Sequence, residues 1–126
     1  MFDWLLLKEK LEQILEALIT VQRRFSKITT PDDFIVSDHG LDMLDAIAML
    51  LIAIGKNFKK IDKETNGSFL KKYPNIDWRG VKGIRDVLSH DYFNIDHEEI
   101  YNICESDLLP LIETVHIMIK KVDWGL

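Results

Sequence analysis

Hydrophobic side chains at Trp4, Leu7, Leu11, Ile14, Leu18, Val21 and Phe25 fall alternately three and four residues apart, with mostly charged and polar residues between them. This is the seam of one amphipathic helix of about three heptads, and it predicts a long first helix whose chemistry is packing. Thr30 followed by Pro31, Asp32 and Asp33 is a helix-start signal, a capping hydroxyl ahead of a proline in the first turn. It predicts a short helical turn leading into a second helix. That helix, expected from about Ser37 to about Lys60, carries two apolar stripes: Leu41, Leu44, Ala48, Leu51 and Phe58, and beside them Met43, Ile47, Leu50, Ile54 and Ile61. A helix apolar on more than one face must be covered on more than one face. Either it runs through the middle of a bundle, or its second stripe makes a subunit interface.

The run Thr65 to Ser68, TNGS, then breaks the pattern, and Phe69 to Tyr73, FLKKY, gives one more turn. Pro74 stops a helix, and Asp77 is placed to cap a third one from about Trp78 to about Ser89. A fourth is expected to begin at Asp96, which stands in capping-box spacing with Glu99. Its continuation carries Leu108, Leu111, Ile112, Val115, Met118, Ile119 and Val122 on one face, with Pro110 marking a kink or a restart. No stretch alternates in the manner of a strand bounded by turns. The expected fold is all-α, an up-and-down bundle of four to five helices in a single domain over residues 1–126.

Composition agrees with that expectation. A chain of 126 residues, 47% hydrophobic and 29% charged with only 6 Gly and 3 Pro, has the makeup of a globular helical unit and not of a disordered one. Cys104 is the lone cysteine, which excludes an internal disulfide and favours a reducing, cytoplasmic setting; in an apolar-periodic segment it is expected in the core. The first ten residues lack a basic n-region and a long apolar run, so no signal peptide is expected. The longest apolar run, Met43 to Gly55, contains Asp45 and falls short of the ~20 residues of a membrane span.

Net charge is −5, which on its face argues against a polyanionic partner. The charge is unevenly spread. Between Lys56 and Arg85, Lys56, Lys59, Lys60, Lys63, Lys71, Lys72, Arg79, Lys82 and Arg85 stand against only Asp62, Glu64 and Asp77. A solvated face explains such a run by itself. It gains weight because it runs directly into RDVLSHDYF, Arg85 to Phe93, where an arginine, two aspartates, a histidine and a tyrosine stand close together.

At about 100° per residue, Asp86 and His90 share a helix face, whereas Arg85 and His90 point about 140° apart. For Arg85 and His90 to act on one atom, the helix must end or deform near Ser89, or the two must meet across a two-fold axis. A carboxylate at Asp86 can fix the tautomer of His90 and favour its imidazolium, which prepares a histidine for acid or base work. Arg85 supplies a permanent, forked cation for a phosphate. Tyr92 offers a phenolic hydroxyl. Together these are the groups that metal-free RNA cleavage requires: a base for a 2′-hydroxyl, a cation for the phosphate and basic surroundings. Arg85, Asp86 and His90 read equally well as charged groups and a capping histidine at a helix C-terminus.

The succession Arg85, four residues, His90, one residue, Tyr92 resembles the motif of the HEPN superfamily in its HepT-like branch. The likeness extends outward over Tyr73 to Asp96, YPNIDWRGVKGIRDVLSHDYFNID, and the order of helices agrees around it. Proteins of this kind are toxins of toxin–antitoxin pairs, homodimeric and metal-independent ribonucleases whose motifs meet at a cleft on the two-fold axis. The resemblance implies that Arg85 and His90 are the catalytic pair and that Asp86 is the orienting polar group. It also implies a partner, a minimal nucleotidyltransferase that transfers AMP to the tyrosine, here Tyr92. Phosphate added there would put negative charge and bulk where RNA, whether tRNA or mRNA, must sit.

Arg79 and Lys82, six and three residues before Arg85, share roughly its face and are candidate phosphate contacts, although solvation explains them nearly as well. His39, His97 and His116 lack metal-ligand spacing and are expected as surface or core residues, so neither a metal nor a cofactor is implied. Asp91 is expected to shape the turn and Ser89 to close the helix. Trp78, Tyr73 and Phe93 are expected to pack. The competing function is a non-catalytic helical module that binds a nucleotide or a nucleotidyltransferase through Arg85 to Tyr92. RNA cleavage separates the two.

Overall fold

The computed structural model describes residues 3–89 and 95–123, apart from the side chains of Val87 and Ser89. Five α-helices make up the described chain: α1 (Trp4–Phe25), α2 (Asp38–Glu64), α3 (Trp78–Ser89), α4 (His97–Asn102) and α5 (Leu108–Asp123). Short 3₁₀ turns at Pro31–Phe34 and Leu70–Lys72 and a π-helical turn at Ile103–Asp107 complete it, with no strand among the described residues.

The first helix starts where the Asp3 carboxylate accepts hydrogen bonds from the amides of Leu5 and Leu6. Its buried residues are Leu7, Leu11, Ile14, Leu18 and Val21, the expected seam. The ends of that seam differ from expectation. Trp4 is 43% exposed, and Phe25 is half-buried against the rings of Phe34 and Tyr101. At Thr30 to Phe34 the expected turn forms, held by the Asp33 carboxylate, which accepts from Thr29 and Thr30 amides at 2.8 and 3.1 Å and from the Thr29 hydroxyl. These donors hold the Asp33 carboxyl below its ordinary value.

Ser37 caps α2 by accepting from the Gly40 amide. The helix continues a turn beyond the expected end, because Lys63 and Glu64 propagate it until Asn66 and Gly67 take positive φ and the Gly67 amide closes on the Asp62 carbonyl at 2.8 Å. Of the two alternatives for its two stripes, the structure shows the first. Residues from both, Leu44, Ala48, Leu51 and Phe58 with Ile47, Ile54 and Ile61, are buried in one core. They are covered by α1, α3 and α4 together. Met43 and Leu50 of the second stripe are half-buried, and Leu41 is 42% exposed.

Ion pairs report the helix directions. Lys10 near the start of α1 meets Glu64 at the end of α2 at 3.1 Å, and Lys8 meets Asp123 at the end of α5 at 2.5 Å. Both neighbours therefore run antiparallel to α1. The Asp123 carboxylate raises the pKa of Lys8 by its hydrogen bond and its charge.

The C-terminal segment differs most from expectation. Asp96 caps α4 through the amides of Glu98 and Glu99, but the helix is interrupted before Pro110 and not at it, by the π-helical turn Ile103–Asp107. The proline has no N–H for the Ser106 carbonyl and its ring crowds that oxygen; widening the preceding turn relieves both problems. Cys104 lies buried in that turn, and burial pushes its thiol up to about 12. It is a core residue, as expected, and is unreactive at neutral pH.

Candidate functional site

Helix α3 carries the first residues of the motif, Arg85 and Asp86, and its docking begins at its first residues. The Asp77 carboxylate accepts from the Gly80 amide at 3.2 Å, which starts the helix as its sequence predicts. Trp78 donates its indole N–H to the Tyr73 carbonyl at 2.8 Å and sets its ring 5.0 Å from that of Phe58 on α2. Trp78 is thus the packing anchor it was expected to be, and Tyr73 is buried. One turn on, α3 and α2 approach so closely at Gly55 that a Cβ there would come within 2.5 Å of Ile84 Cγ2 and 2.7 Å of the Val81 carbonyl oxygen. Leu88, 4% exposed, fixes the far end.

This docking settles which face of α3 looks outward. Arg79, Arg85 and Asp86 are exposed. Lys82 is half-buried, with its ammonium 2.7 Å from the Asp62 carboxylate. As a phosphate contact it would have to exchange that partner. Arg79 does not share the face of Arg85, because six residues of continuous helix leave it about 120° away; it stands nearer Asp86, about 20° off. Sequence spacing had grouped all three basic residues together. His90, Asp91, Tyr92 and Phe93 lie outside the described residues.

Beyond the motif the chain is held by contacts that one sequence does not reveal. The Tyr101 hydroxyl donates to the Thr29 carbonyl at 2.8 Å, and burial together with Glu105 raises its pKa. His97 Nε2 is enclosed 3.6 Å from Asp32, too long for a hydrogen bond. His97 therefore packs against the 3₁₀ turn and is partly buried there. The motif segment joins a helix fixed on α2 to a helix fixed on Pro31–Phe34.

On its other flank α3 borders a cleft of about 470 Å³ facing the π-helical turn and α5. Ile76, Val81, Ile84 and Ile103 line it, with Asp77, Glu99 and Asp107 among its polar residues. Asn75, just before α3, donates to the Thr114 hydroxyl at 3.0 Å, which satisfies the polar group buried on α5. Among the described residues, no group of three His, Cys, Asp or Glu side chains is placed to hold a metal ion. No helix among them is long and apolar enough to cross a membrane.

Comparison with known proteins places these features. The family model for "Ribonuclease HepT-like" matches residues 14–118, which include α3 and the whole motif. A protein of Thermococcus cleftensis named "Probable ribonuclease HepT" is 28% identical over 104 residues, 82% of this chain and 87% of that one. Two proteins of Methanocaldococcus jannaschii also match. "Putative RNase MJ0127" is 31% identical over 78 residues, 62% of this chain and 61% of its own. "Gamma-glutamylcyclotransferase and putative RNase MJ0434" is 27% identical over 113 residues, 90% of this chain and 47% of its own. The chain thus spans about half to three fifths of the length of these two archaeal relatives. No solved structure matches.

Proposed function

Because the chain belongs to the HepT-like ribonuclease family, we propose that it is an endoribonuclease that needs no metal ion, with Arg85 and His90 as its catalytic pair. One observation carries this reading: the Arg85, His90, Tyr92 succession lies inside the matched region, and Arg85 and Asp86, on α3, face solvent.

In the proposed reaction His90 takes the proton of a ribose 2′-hydroxyl, and the freed oxygen attacks the adjacent phosphorus. Arg85 stabilises the charge that builds on the phosphoryl oxygens. The P–O5′ bond breaks and the 5′-oxygen takes a proton from water while the His90 imidazolium returns its own proton to solvent, giving a 2′,3′-cyclic phosphate and a 5′-hydroxyl. Asp86, four residues before His90, orients the imidazole. The working unit is a homodimer in the cytoplasm, which brings the two motifs together on the two-fold axis. Its partner is a minimal nucleotidyltransferase, the antitoxin of a toxin–antitoxin pair. That enzyme would transfer AMP from ATP to the Tyr92 oxygen with loss of pyrophosphate, and the new phosphodiester would repel and obstruct RNA.

The test is cleavage of an RNA pool containing tRNA and mRNA, in excess chelator, by the wild type and by His90→Ala. General-base removal should slow cleavage by roughly 10²–10⁴-fold while the variant stays folded. Undiminished cleavage by the variant refutes the assignment. A wild type that binds RNA or nucleotide without cutting supports the binding-module reading instead.

A further inference from the structure

The solvent side of α2 carries a periodic pattern distinct from its two apolar stripes. Asp38, Asp42 and Asp45, then Met49 and Ile52, then Lys56, Lys59 and Lys63 follow one another at alternating intervals of four and three residues. That is one heptad seam along the whole helix, about 38 Å at 1.5 Å per residue. Its members face outward: Met49 is 65% exposed, Ile52 is half-buried and all six charged residues are exposed. None of the six takes part in an ion pair among the described residues.

A seam that is acidic at one end, apolar in the middle and basic at the other is its own complement when turned end for end. Opposed antiparallel to a copy of itself, α2 sets Asp38 against Lys63, Asp42 against Lys59, Asp45 against Lys56 and Met49 against Ile52. The two numbers in every pair add to 101, so one register satisfies all of them, with the two-fold axis between residues 50 and 51. Each pair also joins an a-type position to a d-type one, as antiparallel seams require. Ala46 and Ala53 beside the centre leave room for close approach. The helix macrodipole accounts for Asp38 and Lys63, which lie in the end turns, but it fades before Asp45 and Lys56.

From this complementarity we infer that α2 is the homodimer interface and that the partner seated on it is a second copy of this chain, antiparallel, in the register just given. The inference rests on the homodimer part of the function proposed above and uses none of its cleavage chemistry. It has a structural consequence for α3, which docks at Gly55, roughly a quarter turn around α2 from the seam. A two-fold axis perpendicular to the paired helices keeps both copies of α3 on the same face, one on either side of the axis.

The experiment is charge exchange read by light scattering. One variant carries D38K/D42K/D45K, the other K56E/K59E/K63E, and each then opposes like charges across the seam. At protein concentrations of tens of micromolar the wild type should have twice the 14.7 kDa monomer mass, each variant alone should fall to the monomer mass, and an equal mixture should return to the dimer mass. A monomeric wild type, or variants that dimerise unaided, overturns the inference. Because the variants alter α2 ends that bear on folding, a second test fixes the register. D45C/K56C should form a covalent dimer on oxidation and D42C/K56C should not; the reverse, or neither linking, also overturns it. Cys104, buried and with its thiol pushed up to about 12, contributes no background. RNA cleavage by the wild type is scored separately, so a failed interface and a failed ribonuclease reading are told apart.

Discussion

The face of α1 against α2 and α5 and the outer side of α3 are built by opposite rules. On α1 the seam residues Leu11, Leu18 and Val21 are fully buried, and its first turns are tied by ion pairs to the C-terminal ends of α2 and α5. Helix α3 docks mainly on α2, leaves Val81 and Ile84 half-exposed beside a cleft, and turns Arg79, Arg85 and Asp86 to solvent. Under the function proposed above, stability and chemistry fall to different elements. A helix that must present charge to a ligand cannot also be enclosed, so it relies on a few anchors, Trp78, the Gly55 contact and Leu88, to stay in place.

Substitutions on the two sides should therefore separate stability from activity. The largest stability effect is expected for Leu18→Ala, about 2–5 kcal/mol for emptying a fully enclosed site, read by denaturant unfolding, with activity per folded molecule retained. Gly55→Ala should act on the other element. The added methyl gains about 1 kcal/mol of helix propensity but meets the Val81 carbonyl and Ile84. The net loss of about 1–2 kcal/mol expected from overpacking should speed hydrogen exchange in α3 and spare α1. Equal acceleration in both helices would erase the contrast. Lys82→Ala removes a half-exposed ion pair with Asp62 and should cost no more than about 1 kcal/mol; a marked weakening of RNA binding at unchanged stability would make Lys82 a phosphate contact after all. The smallest effect belongs to Asp33→Asn. Its carboxyl is held below the ordinary 3.8 by the Thr29 and Thr30 donors. The contribution is therefore present above about pH 4 and lost as pH falls through the lowered value. Wild type and variant should differ in melting temperature at pH 7 and converge in strong acid.

How much of this was legible in the sequence follows from the range of the interactions. Local patterns were readable: the seam of α1, the Asp77 and Asp96 caps, and the span of α3 from Trp78 to Ser89 depend on residues within a few positions of one another. The π-helical turn was not, since Pro110 announces a break but not that the strain is relieved a turn earlier. Contacts between distant segments were also hidden, namely Lys82 with Asp62, Tyr101 with Thr29 and His97 with Asp32. For the site, residue types and spacing drew attention to Arg85, Asp86, His90 and Tyr92 but fitted a helix C-terminus equally well, and their roles came from the family resemblance; the divergence of Arg79 from Arg85 required a continuous helix to be established. The charge pattern on α2 was present in the sequence throughout, but it becomes informative only once α1, α3 and α4 are seen to leave that face uncovered.

The central claim is that RNA is cut at the exposed end of α3 and that the rest of the bundle only holds that end in place. It is tested most directly by measuring RNA cleavage and unfolding on the same preparations of wild type, Arg85→Ala and Leu18→Ala in excess chelator. Loss of the phosphate-stabilising cation should lower cleavage by roughly 10²–10³-fold at unchanged stability, while Leu18→Ala loses stability and keeps its activity per folded molecule. Cleavage by Arg85→Ala at the wild-type rate would contradict the account.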